Sequence, residues 1–154
     1  MKKVLFVFAF IFGTAFVGQS QELGVRFGGR GSGNEGSAAV DAVFATGKFN
    51  RIHANLSFGN DGVGIDALWD LIYRQLGGEA FMWYVGVGPY TVFGDDFELG
   101  GAGEIGLEYR FNIPIAIGVD WRPYFELIDD TDFNAGGFGI NIRYVFGGEG
   151  GRNR

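Results

Sequence analysis

The stretch Phe138-Gly-Ile-Asn-Ile-Arg-Tyr-Val-Phe146 carries an apolar residue at every second position, Phe138, Ile140, Ile142, Tyr144 and Phe146, with Gly139, Asn141, Arg143 and Val145 between them. A period of two is the mark of a β-strand with two unlike faces. Two kinds of protein use such strands: one buries the apolar face in a core, and the other turns it to lipid and keeps the polar face inside. Which face is wet decides the class.

The same alternation recurs in segments of strand length. They fall at about residues 21 to 30, 37 to 46, 51 to 59, 63 to 74, 80 to 92, 98 to 111, 114 to 127 and 135 to 146. Turn-rich pieces separate them: GSGNEGS, TGKFN, GNDG, LGGE, FGDDF, FNIP and DDTDFN. The pattern predicts an all-β fold of eight antiparallel strands. One parity set is apolar, for example Ile65, Trp69, Leu71 and Tyr73, then Phe81, Trp83, Val85 and Val87, then Ile105, Leu107, Tyr109 and Phe111. The opposite set mixes glycine with charge: Arg26, Arg30, Asp41, Asp66, Asp70, Arg74, Glu104, Glu108, Arg110, Asp120, Arg122, Glu126 and Arg143.

Residue size points to the arrangement of the faces. Glycine numbers 29 in 154 residues, against an average near 7% of a chain. Glycine weakens a strand, and a water-facing surface has no steric need of it. A narrow eight-stranded barrel does, because its interior has room only for side chains. The charged and small set is therefore expected inside, as lumen ion pairs that include Arg74, Asp70, Glu108, Arg110, Asp120 and Arg122, and the aromatic set is expected to face lipid. With strands alternating up and down from an N-terminus in the periplasm, the aromatics sort into two interfacial belts. Pro89 and Pro123 interrupt upward strands and are expected at bulges near the outer rim.

The ends and the composition agree with export. Lys2 and Lys3 precede an apolar run from Val4 to Val17 and then Gly18-Gln19-Ser20, which reads as a signal peptide over residues 1 to 20. Residues 21 to 146 then form the barrel, and residues 147 to 154, GGEGGRNR, a polar periplasmic tail. Loss of the two lysines takes the formal net charge from −6 to −8, a poor match for nucleic acid. With no cysteine, disulfides and thiolate chemistry are excluded. Nine of the ten basic residues after residue 20 are Arg, the residue suited to paired, partly buried charge.

The terminal alternation ending in Tyr144-Val145-Phe146 resembles the last strand of bacterial outer-membrane β-barrels. The pattern over residues 21 to 146 is most similar to the small eight-stranded class of outer-membrane protein X and the transmembrane part of outer-membrane protein A. The resemblance implies a monomeric outer-membrane barrel among outer-membrane lipids and lipopolysaccharide. It also implies that Tyr144 and Phe146 form the signal read by the barrel-assembly machinery. In that family the final aromatic is usually the last residue, whereas here eight residues follow.

Three constellations could carry chemistry. Gly101-Ala-Gly-Glu-Ile-Gly106 has dinucleotide-fingerprint spacing but leads into the alternating LEYRFNIP rather than a helix, so it reads as small-residue strand. His53 and Ser57, with Asp66 or Asp70 on the next strand, offer the residue types of outer-membrane lipid A esterases, at a spacing of four where that family uses two. Satisfied interior polar groups are the simpler reading. Asp130, Asp132 and Asn134 resemble the start of a calcium loop, but glycine falls at position seven and Asn141 stands where a bidentate Glu is needed. No catalytic centre, metal or cofactor is expected. The role expected is structural or interactive, in the envelope, with a lumen plugged by charge. A lipid-modifying enzyme and a soluble lipocalin-like binder are the alternatives.

Overall fold

The computed structural model describes residues 22–29, 36–59, 62–94, 97–128 and 132–146. Eight strands run in chain order: β1 (Glu22–Gly29), β2 (Gly36–Ala45), β3 (Arg51–Gly59), β4 (Gly62–Gln75), β5 (Phe81–Phe93), β6 (Phe97–Arg110), β7 (Ile115–Glu126) and β8 (Phe133–Val145). Each pairs antiparallel with its neighbours, and β8 pairs with β1, so the sheet closes into an up-and-down barrel without a free edge. Residues 138 to 145 thus belong to the closing strand, with Tyr144 opposite Leu23 and Ile142 opposite Val25.

Inside and outside follow the alternation. Phe27, Trp69, Val87, Ile105, Val119 and Ile140 are exposed on the outer wall, while Asp41, His53, Asp70, Glu108, Arg122 and Arg143 are buried on the inner one. The ordinary soluble arrangement is inverted.

Register explains the glycine content. Asp120 lies between Gly106 and Gly139, Glu104 is opposite Gly86, Glu108 opposite Gly118, and Arg143 opposite Gly24. Large charged side chains thus lie over positions with none. A Cβ at Gly118 would stand 2.6 Å from Asn141 Oδ1, and one at Gly24 would run into the backbone of Ile142 and Arg143. In a barrel this narrow, close packing leaves room for a large residue only beside a small one.

Aromatic rings collect at both rims. Where β1 begins, Phe81, Tyr109 and Phe111 form a chain with centroids 4.9 and 4.7 Å apart, and Tyr144 meets Phe146 at 5.1 Å. At the opposite rim Phe93 meets Phe97 at 5.6 Å, and midway along the outer wall Trp121 stacks on Phe138 at 6.3 Å. Connections are short. The β4–β5 turn bends at Gly77, whose φ of 75° is a conformation that favours glycine.

Three expectations are revised. β4 carries a bulge between Asp70 and Ile72, so Leu71 and Ile72 both face outward. The parity downstream flips: Tyr73 turns inward, and Arg74 lies on the outer side with its guanidinium 3.6 Å above the Phe49 ring. Arg74 is therefore not a lumen ion pair, and Tyr73 is not in the outer belt. Pro123 does sit at a bulge, between Arg122 and Tyr124 opposite β8. Pro89 does not: it points outward in unbroken register with β6, and its pairing with β4 lapses and resumes without a shift. The missing N–H is absorbed by a gap in one ladder rather than by an extra residue.

Candidate functional site

The buried ion-pair network lies in the lumen, which is built in three levels. At the end where β1 begins, Glu108 is the hub. Its Oε2 accepts from Arg51 Nη1 at 3.0 Å and from Arg143 Nη2, and its Oε1 accepts from Arg110 Nε at 2.8 Å and the Tyr73 hydroxyl at 2.9 Å. Arg110 also reaches Glu22, and Arg51 Nε donates to Asp70 Oδ2 at 2.6 Å. The Arg51 guanidinium lies 4.1 Å from the Tyr73 ring centre and 4.6 Å from that of Tyr84.

At mid-height His53 is enclosed by charge. Its Nε2 lies 2.5 Å from Asp41 Oδ1 and its Nδ1 lies 3.2 Å from Glu104 Oε2. Arg122 pairs with Glu104 at 3.0 Å and Asp66 at 3.2 Å, and Arg26 holds Asp120 with its Nε at 2.9 Å. Asn141 completes Asp120 with a bond of 2.9 Å. Towards the far rim the interior turns apolar, with Leu68, Val92, Ala102 and the edge-to-face pair Tyr90 and Tyr124 at 5.1 Å.

Of the residues expected as lumen pairs, Asp70, Glu108, Arg110, Asp120 and Arg122 lie in this network. Two members were missed, Glu22 and Arg51. Extending the parity of Arg26 back to Glu22, and of His53 back to Arg51, finds both.

The His53 and Ser57 pair does not assemble. Four residues of extended strand separate them by about 13 Å, and both His53 nitrogens already face carboxylates. The Ser57 hydroxyl donates to the Gly64 carbonyl at 3.3 Å, and Asp66 is held by Arg122 and by Asn55 at 3.2 Å. In the calcium-like stretch, Asp132 Oδ1 accepts from Phe133 N at 2.8 Å and Asn134 Oδ1 from Gly136 N at 2.9 Å, so both side chains cap their own backbone. Asp130 lies outside the described residues, as do residues 1 to 20, the tail from 147 to 154, and Arg30. Tyr144 faces outward on β8, and Phe146 follows one residue beyond that strand.

A cluster that sequence spacing did not reveal is His53, Asp70 and Glu104, all buried, with one potential ligand atom from each lying within 4.8 Å of the others. The three stand on β3, β4 and β6, and only the cross-strand register brings them together. No protein-family model, curated protein or solved structure matches the chain.

Proposed function

We propose that the protein is a small outer-membrane β-barrel of a Gram-negative envelope with a structural or interaction role, its lumen closed by ion pairs. One observation carries the reading: in a closed barrel, the charged residues are inside and the large apolar residues are exposed on the outer wall. In water such a wall is a continuous apolar surface far larger than a monomeric soluble protein exposes. In lipid it is the favourable face, and closure satisfies the backbone polar groups that hydrocarbon cannot.

Dimensions fit. Strands of 8 to 14 residues, at about 3.3 Å per residue and a tilt near 40°, reach roughly 20 to 35 Å, around the apolar band of about 25 Å in such barrels. The two rims of aromatic rings lie where interfacial girdles belong. A soluble lipocalin-like binder requires the opposite arrangement, with an apolar interior.

The partners that follow are outer-membrane lipids and lipopolysaccharide around a monomeric barrel, and the assembly machinery during biogenesis. Expression of the full chain in a Gram-negative host, followed by membrane fractionation and unheated gel electrophoresis, tests the proposal. The expected result is an outer-membrane band of heat-modifiable mobility, reduced in Phe146→Ala. Recovery in the soluble periplasmic fraction without detergent overturns it.

A further inference from the structure

We propose that the lumen binds one divalent transition-metal cation through His53, Asp70 and Glu104. Asp70 and Glu104 flank Gly86 on adjacent strands, and the missing side chain there lets the two carboxylates converge. A Cβ at position 86 would run into Asp70 Oδ1 itself. Each carboxylate has one oxygen committed and one free: Asp70 Oδ2 takes Arg51 and Glu104 Oε2 takes Arg122, while Asp70 Oδ1 and Glu104 Oε1 are buried with no hydrogen-bond donor. The hydroxyl of the fully buried Tyr84, seated against Gly106, is likewise without a partner. Two buried carboxylates within hydrogen-bonding reach of each other call for positive charge between them, either a shared proton or a metal ion.

The charge of the ion-paired network is compatible with such an ion. Within the ion-paired network, seven carboxylates, on Glu22, Asp41, Asp66, Asp70, Glu104, Glu108 and Asp120, face five guanidiniums, on Arg26, Arg51, Arg110, Arg122 and Arg143, while Glu98 and Glu126 lie half-buried on the same parity nearer the far rim. With His53 as a neutral ligand, the deficit of two positive charges is that of one divalent ion. An imidazole nitrogen with carboxylate oxygens suits zinc, manganese, iron or cobalt, whereas calcium and magnesium prefer more oxygen ligands. Asp41 beside His53 Nε2 supplies the carboxylate that commonly orients a metal-bound imidazole, and an ion at Nδ1, which now faces Glu104 Oε2 at 3.2 Å and Arg122 Nη2 at 3.3 Å, would take the place of the Arg122 contact. Because the three residues are buried, the ion enters while the barrel closes. This inference stands whether or not the outer wall meets lipid.

The test uses full chain unfolded in urea and refolded into detergent micelles with Zn²⁺, Mn²⁺ or Co²⁺, or with EDTA. Chelator-washed, gel-filtered barrel is then assayed for metal, and the Co²⁺ form for its visible absorption. The expected result is about one ion per folded chain with at least one of these metals, a ligand-field band for cobalt, and a higher temperature of the heat-modifiable transition than in the EDTA sample. Asp70→Asn and Glu104→Gln should lower the stoichiometry at least tenfold, while Asp66→Asn, a buried carboxylate outside the site, should retain it. Folded wild-type barrel with less than about a tenth of an ion per chain for every metal overturns the proposal, whatever the variants do. So does an infrared band of a protonated carboxyl in the metal-treated protein that disappears in Asp70→Asn, since a shared proton would then fill the gap.

Discussion

Arg74 and Arg122 are both strand arginines of the polar parity, and their surroundings could hardly differ more. Arg122 is fully buried between Glu104 and Asp66, whereas Arg74 stacks on Phe49 at the outer edge of a turn. Removing one member of a buried ion network strands its partners, so Arg122→Ala should cost about 3 to 5 kcal/mol. Loss of an exposed cation–π contact costs about 1 kcal/mol or less, so Arg74→Ala should leave stability nearly unchanged. Urea titration of folded barrel in lipid vesicles measures both, and equal losses would contradict the outward placement of Arg74. The proposed lipid face has its own test at Ile142, which is 44% exposed. Ile142→Arg should destabilise by roughly 2 to 4 kcal/mol in lipid, and Ile142→Leu should be neutral. Asn141→Arg is a poor inward control, because Asn141 is fully buried, with its Oδ1 against Gly118, and a larger side chain there overpacks.

The bulge in β4 is the element that most changes the map of the barrel. Asp70 faces in, Leu71 and Ile72 face out, and Tyr73 faces in again, where it bonds Glu108. Deleting Leu71 removes the extra residue while keeping Asp70 and Tyr73 inside and Ile72 outside. Deleting Ala67 instead offsets the alternation, so that either the inward set from Leu68 and Asp70 or that on the other side changes face. The Leu71 deletion should therefore still give a heat-modifiable band, and the Ala67 deletion should abolish it. Survival of both, or loss of the Leu71 deletion alone, would contradict the observed parity.

At the scale of the whole molecule, the interior is closed twice, by the charge network near one end and by Leu68, Tyr90, Val92 and Tyr124 towards the other. Among the described residues, side chains occupy the lumen at both levels. Planar-bilayer recordings of the refolded protein should show no steady porin-sized steps, since eight strands enclose space that side chains already fill. Persistent large conductance would mean that the plug leaves the lumen in a membrane.

The sequence by itself determined the eight strands, their boundaries to within about two residues, and which face carries glycine and charge. Those features depend on a period of two and on residue size, both local properties of each segment. His53, Asp70, Glu108 and Arg122 were legible as inward groups for that reason, and the mutual identity of their partners was not. Only the tertiary structure decided that Leu71 bulges, that Arg74 consequently lies outside, that Arg51 pairs with Asp70, and that Asp70 meets Glu104 over Gly86. The physical reason is register: strand alternation fixes the face a side chain points to, but its height against neighbouring strands is set by how all eight close into one barrel.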